Sequence, residues 1–148
     1  MLAAIRPDDW NLPLLVHVAG AMLLVGSLVV VTAVTVAAVR HGDRGAVLTR
    51  TAFRALLLGV LPAYVVMRVG AEWLASKEDP PDAAWIGIGY GTADGGLLLA
   101  IVATVLAGRA RRRAPDGAGG ARRAVAALGA VLLVAYAVAI WAMTTKPG

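Results

Sequence analysis

Residues 63–73 read AYVVMRVGAEW, an apolar run that contains one arginine and one glutamate, four residues apart. A charged side chain inside a bilayer is unfavourable, so it is expected to face other protein and to mark a site. Tyr64, Arg68 and Glu72 recur at every fourth position and therefore share one face of a helix. The stretch predicts a membrane-spanning helix that carries a polar site.

The composition is that of an integral membrane protein. Of the 148 residues, 59% are hydrophobic and 16% are charged, and the mean hydropathy is +0.76. Soluble domains are about half apolar and about 25% charged. The apolar residues come in long blocks, which is typical of transmembrane helices. The chain has no cysteine, which excludes disulfides, thiolate metal sites and cysteine nucleophiles.

The apolar blocks predict four membrane spans, at residues 12–39, 53–74, 85–107 and 124–144. Because the connections are short, the spans pack most simply as one transmembrane domain, an all-α, up-down-up-down antiparallel four-helix bundle. Pro62 lies inside the second span and predicts a kink there.

The basic residues predict how the spans are oriented. Ten arginines lie in the predicted loops 40–54 and 108–123, whereas Arg6, Lys77 and Lys146 lie on the other side. The positive-inside rule therefore places both loops in the cytoplasm and both termini outside. Arginines so placed indicate contact with the lipid bilayer and not with nucleic acid. Indole rings favour the membrane interface, and the four tryptophans fall at the outer span ends: Trp10, Trp73, Trp85 and Trp141.

With this orientation, polar side chains from all four spans lie in the outer half of the membrane. At about 1.5 Å per residue, Asp94 lies roughly 13 Å below the outer boundary and Arg68 roughly 8 Å. We predict an ion pair between them, because either charge alone in lipid would be strongly destabilising. The pair is either a structural clasp or a working ion or substrate site. The whole predicted cluster consists of His17, Tyr64, Arg68, Glu72, Tyr90, Asp94 and Tyr136.

Small residues predict where helices approach each other closely. Gly87, Gly91 and Gly95 form two overlapping small-xxx-small steps in the third span. Gly20 lies on a stripe of small and hydroxyl residues in the first span. We expect all four glycines to pack against neighbouring helices.

His17 is a hydrogen-bonded packing residue, a metal or haem ligand, or a proton carrier. His41, the other histidine, lies on the predicted cytoplasmic side, so geometry excludes a bis-histidine haem within one chain. Met67 and Met143 lie in the same half as His17, and histidine with methionine suits haem or copper. The cofactor stays open between none, haem and copper. Catalytic motifs are absent from the sequence, which argues against an enzyme.

Two stretches of the first span, residues 15–21 (LVHVAGA) and 25–27 (VGS), resemble the opening helix of the copper-resistance-D type and of the bacterial membrane haem-synthesis oxidase. A likeness that covers most of the chain rests on residues 59–73, 85–89 and 141–147. These resemble a group of uncharacterised small four-span membrane proteins of actinobacteria. That resemblance implies the fold and a bacterial plasma membrane, and no activity.

Three functions are open at this point. The first is a structural or interaction protein that associates with itself or with a larger membrane complex. The second is a redox or metal-handling protein with a site near His17. The third is a small carrier of anions or protons that uses Arg68, Glu72 and Asp94 and acts as an oligomer.

Overall fold

The computed structural model describes residues 8–41, 44–77, 84–112 and 118–145, and these ranges are almost entirely helical. Four continuous helical rods result, and each is long and apolar enough to cross a membrane. The first rod is α1 (Asn11–Arg40), preceded by a 3-10 turn at Asp8–Trp10. The second rod consists of α2 (Gly45–Ala55), a π-helical turn (Leu56–Val60) and α3 (Leu61–Ala75). The third rod is α4 (Ala84–Ala110), and the fourth is α5 (Gly119–Thr145). The chain is thus an all-α multi-pass membrane bundle.

Successive rods run in opposite directions, so the bundle has two chemically distinct ends. Contacts between α1 and α3 run antiparallel, since Gly20 lies against Met67 and Gly70 against His17. The tryptophan end is the one that carries Trp10, Trp73, Trp85 and Trp141. The arginine end is the opposite one, and its described arginines are Arg40, Arg44, Arg50, Arg54, Arg109, Arg111, Arg112, Arg122 and Arg123.

The rods close the bundle on one side more fully than on the other. α1 packs on α3 and α5, and α4 packs on α5. At the arginine end α2 also packs on α4, whereas α3 and α4 touch at few points. Leu24, Leu28, Leu56 and Leu132 are fully buried between the rods. The bundle is therefore closed at the arginine end and parted between α3 and α4 at the tryptophan end.

The second helical rod begins eight residues earlier than the sequence predicted, at Gly45 instead of residue 53. Gly45, Thr49 and Ala52 form a buried face of α2, while Arg50 and Arg54 are exposed. The arginines lower the mean hydropathy of an amphipathic helix, and the segment therefore resembles a loop. The predicted loop 108–123 is likewise too long, because α4 continues to Ala110 and α5 begins at Gly119.

The backbone of the second rod is irregular directly before Pro62. The Leu61 N–H donates to the Leu56 carbonyl, which closes a π-helical turn over Leu56–Val60. Proline has no N–H to continue the α-helical pattern, and a π turn accommodates the interruption within one helix. The irregularity lies where the sequence predicted a kink.

Candidate functional site

An ion cluster lies where α3 and α4 part at the tryptophan end. Arg68 Nη2 is 3.2 Å from Glu72 Oε1 on the same helix, and Arg68 Nη1 is 3.5 Å from Asp94 Oδ1 on α4. The guanidinium also lies 4.6 Å from the centroid of the Tyr90 ring, a cation–π distance. The structure thus contains the Arg68–Asp94 ion pair that was expected from the sequence.

The cluster lies on the outside of the bundle. The side chains of Arg68, Glu72 and Asp94 are 28%, 52% and 63% exposed. The expectation that these charges face protein is therefore wrong for Glu72 and Asp94 within a single chain. The reason is that α4 packs against the bundle with the side opposite to Asp94, as the positions of its buried and exposed glycines also show.

Gly87, Gly91 and Gly95 do not pack against a neighbouring helix of the chain. A Cβ added at any of them would meet nothing within 4 Å, and Gly87 and Gly91 are exposed. α4 packs instead through a second stripe of small residues: Gly89, Ala93, Gly96, Ala100 and Ala103. Two residues along a helix correspond to about 200° of rotation, so the two stripes lie on opposite faces. The prediction that these three glycines pack against a neighbouring helix of the chain is therefore wrong.

His17 is held by a close crossing of α1 and α3. Its Nδ1 lies 3.0 Å from the carbonyl oxygen of Met67. Since a carbonyl only accepts, Nδ1 carries a proton and donates the hydrogen bond. The other ring nitrogen, Nε2, takes no part in this bond. A Cβ on Gly20 would lie 2.6 Å from the Met67 Cα, and one on Gly70 would lie 2.6 Å from the His17 Cα. Sequence reasoning missed Gly70, although it lies in the stretch 63–73 on the helix that carries Arg68.

Two adjoining chambers lie inside the tryptophan end, behind the ion cluster. The inner chamber has a volume of about 100 Å³ and is bounded by all four rods. The outer chamber, of about 140 Å³, lies between the ends of α3 and α4, beside Leu74, Trp85 and Ile86. Four residues line both chambers: His17, Ala71, Tyr90 and Met143.

The predicted site residues thus fall into three groups. Arg68, Glu72, Asp94 and Tyr90 form the ion cluster. Tyr64 is buried in the hydrophobic core. The remaining predicted residues line the inner chamber, and they are His17, Met67, Tyr136 and Met143. Arg68 and Tyr90 of the ion cluster line it as well.

The three candidate metal ligands therefore line one chamber. His41 lies after the far end of α1, at the arginine end. Within the four described ranges, no three histidine, cysteine, aspartate or glutamate side chains come together as a metal site. A haem or copper ligand set at His17, Met67 and Met143 stays a prediction.

At the arginine end, the structure reveals a buried arginine that the sequence placed in a loop. Arg122 on α5 is only 7% exposed, and its Nε donates to Thr49 Oγ1 at 3.0 Å. The Thr49 hydroxyl in turn donates to the Gly45 carbonyl. A Cβ on Gly45 would lie 2.6 Å from Arg122 Nη1, so the missing side chain makes room for the guanidinium. The available signal was the spacing of Gly45 and Thr49 on one face of a short amphipathic helix.

The chain matches no family model, no curated protein and no solved structure. The resemblance of its first span to the copper-resistance-D type and to the haem-synthesis oxidase stays a prediction. The likeness of most of the chain to small actinobacterial four-span proteins also stays a prediction.

Proposed function

We propose that the protein is a self-associating structural or interaction protein of the membrane, in which α4 pairs with α4 of a second copy. The observation that carries this proposal is the exposed carboxylate of Asp94. Asp94 is ten residues from the start of α4 at Ala84, which is about 15 Å along the helix. A charged carboxylate is unfavourable at that depth in lipid, and a second helix laid over it removes it from the acyl chains.

The shape of this surface favours a helix as the covering element. Asp94 shares the exposed side of α4 with Gly87, Gly91 and Leu98. We call this side the α4 glycine face. Glycines at a spacing of four let two parallel helices bring their backbones together. Two copies inserted the same way present parallel α4 helices, so a second copy of this chain fits the face.

The charges favour the same partner. Arg68 and Asp94 are one base and one acid, so two copies contribute equal numbers of each to the interface. The guanidiniums therefore balance the Asp94 carboxylates when lipid is excluded. Glu72 lies three residues from the end of α3, close enough to the interface to keep contact with water. Pairing along the α4 glycine face leaves no unbalanced charge at depth.

We also propose that the arginine end lies in the cytoplasm of a bacterial plasma membrane and that both termini lie outside. The support is the positive-inside rule together with the tryptophans at the opposite end. An alkaline phosphatase fused after residue 148 should be active, because that enzyme requires the oxidising outer side. An active cytoplasmic reporter at the same position would contradict this orientation.

Cross-linking tests the self-association directly, because the natural chain contains no cysteine. The variant Gly91→Cys should form a disulfide-linked dimer on oxidation in native membranes. Gly26→Cys is the matched control, since Gly26 is also an exposed helix glycine with nothing within 4 Å of an added Cβ. It should cross-link weakly. Equal cross-linking of the two variants would refute pairing through α4.

A larger side chain at position 91 tests the same face without a cross-linking reaction. Gly91→Leu should weaken dimerisation in lipid by more than about tenfold, as measured by energy transfer at increasing dilution into lipid. Gly26→Leu should leave the dimer unchanged. A wild-type chain that stays monomeric at every ratio of protein to lipid would overturn the proposal.

A further inference from the structure

Together, the two adjoining chambers at the tryptophan end are large enough for an aromatic ring. Their walls are mainly apolar and include Leu24, Val25, Ala93 and Ile140. An apolar cavity of about 150 Å³ holds a benzene molecule. The chambers measure about 100 Å³ and about 140 Å³ and adjoin each other, so they have room for one ring with a short substituent. We propose that they form a binding site for a neutral, single-ring phenol, independently of the self-association described above.

His17 determines which polar group the ligand carries. Nδ1 donates to the Met67 carbonyl, so Nε2 is a hydrogen-bond acceptor whenever the imidazole is neutral. An acceptor beside an apolar chamber is satisfied by a ligand that donates a hydrogen bond. A hydroxyl on an aromatic ring is such a donor, whereas an ether or ketone oxygen only accepts.

The charges around the chambers favour a neutral ligand over an ionised one. Arg68 lines the inner chamber, but Glu72 at 3.2 Å and Asp94 at 3.5 Å already neutralise its charge. A carboxylate or phenolate would enter without a free counter-charge, which is unfavourable in an apolar cavity. A phenolic oxygen can instead accept from the hydroxyl of Tyr136, which lines the inner chamber.

The outer chamber provides the route of entry. It lies beside Leu74, Trp85 and Ile86, at the ends of α3 and α4 where these helices are apart. Aromatic rings that carry one polar group concentrate at the boundary of a membrane, as tryptophan and tyrosine side chains do. A small phenol would therefore be enriched where the outer chamber lies.

Two probes that differ in one hydrogen-bond donor test the inference. The full chain in lipid nanodiscs is titrated with 4-fluorophenol and with 4-fluoroanisole, its methyl ether, and binding is followed by fluorine NMR. Empty nanodiscs correct for partition into lipid. Wild-type protein should bind the phenol roughly tenfold more tightly than the ether, because only the phenol donates to Nε2. Equal affinities would overturn the inference.

Two variants separate the role of His17 from that of the chamber. An asparagine amide nitrogen can replace Nδ1 as donor to Met67, and its amide oxygen then takes the place of the ring carbon Cδ2, short of the position of Nε2. His17→Asn should therefore reduce the affinity for 4-fluorophenol to that for 4-fluoroanisole, roughly tenfold. Ala93→Leu fills the inner chamber and should abolish binding of both probes, while Gly26→Leu, at a different surface, should change neither.

Each variant can also contradict the inference. A preference for the phenol that persists in His17→Asn would exclude His17 as the recognition group. Wild-type affinity in Ala93→Leu would place the probes outside the chamber. Should Ala93→Leu fail to fold, the comparison of the two probes on wild type and on His17→Asn decides the matter, because it needs no variant of the chamber wall.

Discussion

The two ends of the bundle accommodate an arginine in opposite ways. At the arginine end, Arg122 is almost completely enclosed, and its Nε donates to the hydroxyl of Thr49. At the tryptophan end, Arg68 is more exposed and pairs with both Glu72 and Asp94. The first arginine lies where the rods pack together and the second where they part. The arginine end therefore has the features of a scaffold, and the tryptophan end provides the surfaces for binding and association.

The largest effect is expected from closing the space between α1 and α3 at the tryptophan end. In Gly70→Ala the added methyl group would meet the backbone of His17, which cannot move aside as a side chain can. We expect a loss of about 3 kcal/mol in the free energy of unfolding, at the upper end of the range for overpacking. The measurement is chemical unfolding of the detergent-solubilised protein.

Gly26→Ala is the control for this change, because an added Cβ there meets nothing within 4 Å. It should be neutral or stabilising by up to about 1 kcal/mol, since alanine favours a helix over glycine. If Gly70→Ala were as stable as Gly26→Ala, the close crossing of α1 and α3 would not hold in solution. The hydrogen bond of His17 to Met67 would then lose its support.

A second, smaller effect is expected at the arginine end. Arg122→Ala removes a buried side chain and the hydrogen bond that it donates to the Thr49 hydroxyl, which keeps only its bond to the Gly45 carbonyl. We expect a loss of about 2 kcal/mol from lost packing and a lost hydrogen bond. Arg123→Ala removes the same charge from an exposed neighbour and should change stability by less than about 0.5 kcal/mol. Equal effects would show that Arg122 acts only through its charge.

Part of this contrast could be read from the sequence. Blocks of apolar residues fix the existence of four rods, because a bilayer of about 30 Å requires about twenty such residues in each. The Arg68–Asp94 pair was predictable because these are the one base and the one acid placed deep in predicted spans. Neither inference needed knowledge of which helix faces meet.

The inferences about side-chain contacts that failed depended on which face is buried. α4 has two stripes of small residues on opposite sides, one through Gly87 and Gly91 and one through Gly89 and Ala93, and either could pack. The choice is made by α5, whose Tyr136 and Met143 reach into the second stripe. Arg122 was placed in a loop for the same reason, since Gly45 makes room for it and Thr49 accepts its hydrogen bond from a distant segment.

The coupling energy of the ion pair at the tryptophan end makes the comparison between the two ends quantitative. Arg68→Ala leaves two carboxylates without a counter-charge and should cost about 2 kcal/mol in lipid, whereas the double variant with Asp94→Ala should cost less. The coupling energy from this double-mutant cycle should be about 1 kcal/mol. Additive losses would show that the 3.5 Å pair contributes no net stability.

The smallest effect is expected from an ion pair outside the predicted spans. Lys77 Nζ lies 2.9 Å from Asp9 Oδ2, and both side chains are partly exposed to water. A cycle with Lys77→Ala and Asp9→Ala should give a coupling energy of about 0.5 kcal/mol or less. This coupling should fall measurably in about 1 M salt, because salt screens ion pairs that water reaches. The coupling of Arg68 with Asp94 should persist in the same salt, because the bilayer keeps ions away from that pair. If both couplings fell together, water would reach the cluster between α3 and α4, and the need for a second helix over Asp94 would disappear.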